Sequence, residues 1–349
     1  MEADSTTYDS SSKTEITEPA LPFNTCPGNL QLYNELISNN GEQRLEFQLV
    51  ERLQGLGLMP SVVRCPTAKP DCNVICRTAR VIDRVQWICE TCSKRQPIRV
   101  GSFFYRLQCS ILQTLQLILA WCEDADIEVA AAHFGVKPKV AMQIFDKLDE
   151  LAIKEQSGCK LGGENSVVLA EMYPDCVNRL SPDTTDQPHV HRILMLADTN
   201  HIPTSYLLHV IRDDNKKTPS GDPDTQALTL EVEKVVRRAV VPGSLVVAGG
   251  TLPALAAVTT LTQLLQHCDL DMQHFLSTRM WRQALTLCLA ARSVCGDSTT
   301  TAGAAAVSVC AAAVQRYLTT ALHRRRHDDG FFSHTLTYIA AEYTDNSGT

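Results

Sequence analysis

Five cysteines, Cys65, Cys72, Cys76, Cys89 and Cys92, lie within 28 residues of one another. The last two form a Cys-x-x-Cys directly behind Trp87 and Ile88. A Cys-x-x-Cys on a tight turn aims two thiolates at one point, and Zn2+ takes four such soft ligands in a tetrahedron. Six residues separate Cys65 from Cys72 and three separate Cys72 from Cys76, so five sulfurs compete for four places. No leucine occurs between Ser61 and Arg106. A stretch so poor in core-forming residues is expected to fold only around its metal; scattered buried thiols, or a redox-active Cys-x-x-Cys, are the simpler alternative.

The same segment is basic. The chain as a whole carries a formal charge of −7, but from Ser61 to Ser110 nine Lys or Arg face three acidic residues, a local balance of +6. Held around a rigid metal knuckle, Arg64, Lys69, Arg77, Arg80, Arg84, Lys94, Arg95 and Arg99 would form a phosphate-contacting surface. A run of cations on its own describes a solvated face equally well.

A second candidate for nucleic-acid contact follows. Ala131 precedes Gly135 by four residues, Val136, Val140 and Ile144 supply apolar contacts beyond it, and Pro138 suits the first turn of a second helix. That spacing fits a helix-turn-helix, whose second helix would expose Lys137, Lys139, Gln143 and Lys147. Between residues 122 and 155, however, eight acids outnumber four lysines, which opposes deep docking in a major groove and leaves a plain three-helix spacer as the alternative.

The elements that must carry these groups read as follows. Residues 1–25 are rich in Ser, Thr and Glu and are expected to be disordered. Two short amphipathic helices fill 26–60, the zinc ribbon 61–102, and a helical, helix-turn-helix-like unit 103–156, its first helix running from Phe103 to Trp121. Beyond the glycine-containing connector near 157–165 the pattern changes to apolar runs of strand length at 166–173, 192–197, 205–211 and 242–250. Helical patterns fill 228–240, 252–267, 270–293, 302–323 and 331–343. Cysteines outside the cluster, such as Cys288, Cys295 and Cys310, read as small core residues. The opening residues are polar and acidic and no apolar run approaches about 20 residues, so neither secretion nor a membrane span is expected.

One string is more than generic. Residues 89–136 join a Cys-x-x-Cys, an Arg-x-Gly-Ser-Phe-Phe box (Arg99 to Phe104), a hydrophobic helix and a helix-turn-helix in that order. This resembles the Merlin group of DDE transposases, of the ISXO2-like superfamily. The layout fits over residues 45–343, including the closing Arg324-Arg325-Arg326 and aromatic helix. The resemblance implies an α/β multi-domain chain: N-terminal helices plus zinc ribbon, a small helix-turn-helix-like domain, and an RNase H-like domain with C-terminal helices over 165–345. It also favours Cys65, Cys72, Cys89 and Cys92 as ligands, with Cys76 the alternative.

In that family acidic residues hold two divalent metals for DNA strand transfer. Laid over this chain, the first acid falls on Ala170, the second on Gly249 and the third on Thr278. Glu171 then reads as a relic or a surface acid. The expectation is therefore a degenerate, non-catalytic, domesticated transposase: a nuclear protein that binds Zn2+ as cofactor and DNA or chromatin as partner, acting in transcriptional or chromatin regulation. It would have protein partners and no membrane contact, and is compatible with a homodimer. An active metal-dependent transposase or nuclease using Glu171, Asp198 or Asp271, and a protein-interaction scaffold that binds no nucleic acid, are the alternatives.

Overall fold

A computed structural model describes residues 21–39, 41, 44–67, 71–164, 166–173, 191–198, 205–211, 223–250, 252–255, 258–260, 263, 282–291, 294 and 304–345. Helices α1 (Pro27–Ile37) and α2 (Leu45–Gly55) come first, then a three-stranded antiparallel sheet of β1 (Val74–Thr78), β2 (Val85–Cys89) and β3 (Arg95–Pro97). A helical unit follows: α3 (Ile111–Cys122), α4 (Ile127–His133) and α5 (Pro138–Gly158). The second half contains β4 (Val167–Tyr173), β5 (Ile193–Asp198), β6 (Ser205–Val210), α6 (Pro223–Ala239), β7 (Leu245–Ala248), β8 (Thr259–Thr260), α7 (Arg282–Ala290), α8 (Ala304–His327) and α9 (Phe331–Asp345). The architecture is mixed α/β. No helix among the described residues is long and apolar enough to cross a membrane.

In the larger sheet the order is β6-β5-β4-β7-β8. β4, β5 and β6 form an antiparallel meander, and β7 and β8 run parallel to β4 on its other side. Because β5 is buried along its whole length on both faces, its sequence Ile-Leu-Met-Leu-Ala is continuously apolar instead of alternating. Leu169, Tyr173, Met195 and Val247 pack on one face with Ala284 and Cys288 of α7 and Val314 and Leu318 of α8. Val168, Ala170, Met172 and Leu196 pack on the other with Val232, Val235 and Ala239 of α6.

The first core does not follow the domain limits drawn from the sequence. Leu53 of α2, Val85 and Trp87 of β2, Leu115 and Ile118 of α3, Ile144 of α5 and Phe332 and Ile339 of α9 bury one another in a single cluster. Thus α9, assigned by sequence to the 165–345 domain, completes the core of the N-terminal half. The ribbon is likewise not dependent on a metal alone, since Trp87 is buried and donates its indole N–H to the Ile98 carbonyl at 3.2 Å. Cys288 lies in the core of the sheet. The helix expected over 252–267 is corrected in its first part: residues 252–255 are irregular and Thr259–Thr260 is drawn into the sheet as β8, pairing with the free edge of β7. Cys295 and most of 270–293 fall outside the described residues.

The stretch from Phe103 to Ser110 is turn, not helix; α3 starts only at Ile111. Three of its carbonyls find a donor in one side chain. Arg99, 4% exposed, donates from Nε to Asp83 Oδ2 at 2.6 Å and from Nη2 to Asp83 Oδ1, and its remaining N–H groups reach the carbonyls of Phe104 (3.4 Å), Leu107 (2.9 Å) and Cys109 (2.6 Å). Gly101, at φ 75°, and Arg106, at φ 65°, make the turns, and Ser102 Oγ donates to the Arg99 carbonyl at 2.7 Å. Phe103 and Phe104 fill the core edge to face, 5.9 Å apart. α3 then begins with a capping box between Ser110 and Gln113.

Removing one partner of a buried, hydrogen-bonded ion pair costs about 3–5 kcal/mol. Arg99→Ala is expected to lose that much in chemical denaturation. Arg99→Lys should recover little of it, because an ammonium cannot supply the fork of donors.

Candidate metal centre

The small sheet places its two cysteine-bearing loops side by side. β1 and β2 pair with Val74 opposite Cys89, and β2 turns into β3 through Cys89–Lys94. That turn is closed by Ser93 N–H to the Cys89 carbonyl and Cys89 N–H to the Lys94 carbonyl, both 2.9 Å, with Ser93 in the left-handed region at φ 55°. The loop before β1 is tied to it by three bonds: Thr91 Oγ1 to the Asp71 carbonyl (2.7 Å), Glu90 N–H to the Asn73 carbonyl (2.9 Å) and Asn73 Nδ2 to Glu90 Oε2 (2.8 Å).

The sulfurs of Cys65, Cys72, Cys89 and Cys92 all lie within 4.8 Å of one another. A ZnS4 tetrahedron with Zn–S of about 2.3 Å has S···S edges of about 3.8 Å. The Cys65–Cys92 separation, 3.3 Å, needs to open only slightly to meet it. Thr67 Oγ1 reaches Cys65 at 3.1 Å, Cys92 at 3.4 Å and Cys72 at 3.6 Å. Its hydroxyl, followed by a backbone bond from Lys94, brings the Cys92 thiol down to about 6, and Thr67 also lowers Cys65. Cys72 goes the other way, to about 11: Thr67 lowers it, but desolvation and hydrogen bonds to the other three sulfurs outweigh that. The lowered thiols of Cys92 and Cys65 favour thiolate, the metal-binding form.

Cys76 is elsewhere. It sits in mid-strand opposite Trp87, packs against the first core, and burial followed by the charge of Glu51 raises its thiol.

The predicted basic residues separate by burial and pairing. Arg64, Arg80, Arg84, Lys94 and Arg95 are exposed. Arg77 is exposed but paired with Glu90 at 3.0 Å. Lys69 lies outside the described residues. Arg99 is a correction: it is buried, all its donors are engaged inside the protein, and no phosphate can reach it. Sequence reasoning also missed the hairpin tip, where Val81 and Ile82, 42% and 57% exposed, stand between Arg80 and Arg84. Asp83, between them in sequence, is turned inward to Arg99, so the tip keeps its positive charge unopposed.

The helix-turn-helix region has Gly135 at φ 64° between α4 and α5, with Ala131 and Ile144 fully buried at the crossing. Lys137, Lys139 and Gln143 are exposed. Lys147 is not: it is half-buried, 5.3 Å over the Phe103 ring.

At the sheet, Ala170 lies opposite Ala248, and Gly249 N–H donates to the Ala170 carbonyl at 2.8 Å. The two positions are adjacent but do not share a face. Ala170 packs on the α6 side, whereas a Cβ at Gly249 would meet the Glu171 carboxylate at 2.0–2.2 Å. Glu171 is therefore not a surface acid. It is 2% exposed and its carboxylate occupies the space that a side chain at 249 would need. Asp198 lies opposite Val168, three residues along β4 from Glu171, or roughly 10 Å at the usual strand rise; its carboxylate accepts from Gly162 N–H at 2.6 Å. Thr278 and Asp271 fall outside the described residues.

Comparison of the chain with protein-family models, with curated proteins and with solved structures finds no match.

Two outcomes follow from these positions. Cys72→Ser is expected to reduce the metal bound by the reduced protein by one equivalent per chain and Cys76→Ser to leave it unchanged, as read by elemental analysis. Gly249→Ala should cost about 1–3 kcal/mol through overpacking, and much of that cost should disappear in a Glu171→Ala background; a double-mutant cycle in denaturant measures the coupling.

Proposed function

We propose that this chain is a zinc-ribbon DNA-binding protein descended from a Merlin-type DDE transposase and working without strand-transfer chemistry, in the nucleus, on transcription or chromatin. The observation that carries the reading is the four-cysteine cluster with exposed cations around it. Four sulfurs within 4.8 Å of one another suit Zn2+, which would lock the loops bearing Arg64, Lys94 and Arg95 against each other. Arg80 and Arg84, at the far end of the hairpin, flank two exposed apolar side chains, a combination that proteins use to grip phosphates beside a base step. Lys137 and Lys139 extend the basic surface.

Descent from a transposase is supported by the larger sheet. An antiparallel meander followed by two strands parallel to its first, in the order third-second-first-fourth-fifth, is the order of an RNase H-like sheet. Loss of catalysis is supported by Ala170 and by glycine at 249. Hard divalent metals need several carboxylates converging at one point, and Glu171 faces a residue that has no side chain to offer.

Binding of duplex DNA, measured by fluorescence anisotropy, tests the reading. With five exposed, unpaired ribbon cations engaged, affinity should fall on the order of 10²–10³-fold between 50 and 200 mM salt. Arg80→Ala with Arg84→Ala should weaken binding across sequences and lower the salt slope by about 2. No duplex affinity at low salt, or affinity indifferent to Cys89→Ser, would exclude the ribbon as a DNA-binding module and leave the scaffold reading. Mg2+-dependent nicking of a labelled duplex would restore the enzyme.

A further inference from the structure

A second group of metal-ligating side chains lies away from the ribbon. Glu155 stands in the last turn of α5, His323 and His327 four residues apart near the end of α8, and His334 in the first turn of α9. Each offers a ligand atom, and the four atoms lie within 4.8 Å of one another. Glu155 is the hub: Oε2 is 2.7 Å from His323 Nε2 and Oε1 is 2.9 Å from His334 Nε2. The rings of His327 and His334 stack 3.6 Å apart at 10°.

Hydrogen bonding alone leaves this cluster incomplete. His323 is 3% exposed, and its Nδ1 is buried with no hydrogen-bond partner, an arrangement that costs free energy unless something else compensates. His327 gains a stacking partner but brings a third imidazole against the other two. The adjoining cavity, between Leu148, Ala152 and Thr335, is about 10 Å3, close to the volume of one water-sized probe. An organic ligand is excluded by size. Phe331, 5.8 Å from the His323 ring and 6.2 Å from that of His327, walls one side with hydrocarbon.

We propose that Glu155, His323, His327 and His334 bind a divalent transition-metal ion, with Zn2+ the best fit. Three imidazoles and a carboxylate form an N/O set that suits zinc at about 2.0–2.2 Å, and the count is right for a closed tetrahedral, structural site.

Its place in the fold gives the ion a task. α8 packs on the larger sheet through Val314, Leu318 and Ala321, while His323 and His327 in its last turns meet Glu155 of α5 and His334 of α9. An ion at this point fastens the two cores together. It does not depend on the ribbon or on DNA binding.

Cobalt titration of the reduced, demetallated full chain separates the two sites, because only a thiolate set gives intense sulfur-to-cobalt charge-transfer bands. Two equivalents are expected in the wild type, one with those bands and one with weak ligand-field absorption alone. His327→Ala should keep the first and lose the second, and zinc content by elemental analysis should fall from two to one. If only the thiolate equivalent appears in the wild type, or if His327→Ala retains both, the proposal is overturned. The wild-type titration decides even if the variant fails to fold. A wild type showing only the second equivalent would instead remove the ribbon metal and leave this site standing.

Discussion

A single buried guanidinium organises the N-terminal half. Between β3 and α3 the backbone runs for about a dozen residues without regular structure, and its inward carbonyls must be paired or pay for desolvation. Arg99 meets three of them, and its charge is balanced by Asp83 from the hairpin tip. Both requirements fall on one residue because only arginine carries five donors in a fixed plane. The pair also determines what the ribbon presents to solvent. By drawing Asp83 inward it leaves the cations at the tip without a neighbouring acid.

The ribbon consequently has two fastenings of different chemistry. At one end Val85, Trp87 and Ile98 are part of a large apolar core; at the other, four sulfurs lie together between two loops and could hold a metal. The first end positions the hairpin whatever the metal content. The second decides the shape of the knuckle, so loss of metal should be felt in the loops that carry Arg64, Lys94 and Arg95 and leave the hairpin in place. That division reconciles a leucine-poor segment with a well-defined place in the molecule.

Much of this was legible in the sequence, for physical reasons that can be named. The strands of the larger sheet announced themselves as short apolar runs because both their faces are covered. The cysteine loops were visible from spacing, and the Ala131–Gly135–Ile144 pattern marked the α4–α5 crossing. What failed was anything that turned on a distant partner. Phe103, Phe104 and Leu107 are spaced as in a helix, but the carbonyls of Phe104 and Leu107 are spent on Arg99 instead of on helical N–H groups. Arg99 was counted among surface cations because composition registers a charge and not its counterion. Glu171 looked peripheral until its carboxylate was seen against Gly249. His323 and His327 show helical spacing, but the carboxylate that bonds His323 is 168 residues earlier, and no local pattern reports that.

The packing of α9 into the first core has a consequence for how the chain reaches its native state. Phe332 N–H donates to the Asn29 side chain across 303 positions, and Gly28 N–H to Asp329 across 301. During synthesis the N-terminal helices and ribbon leave the ribosome long before the helix that closes over them. Until then the apolar faces of α1 and α3 stay open, and the entropy of closing so long a loop must be met before those contacts form. Apolar surface left open for so long is of the kind that chaperones, or a second chain, engage during synthesis.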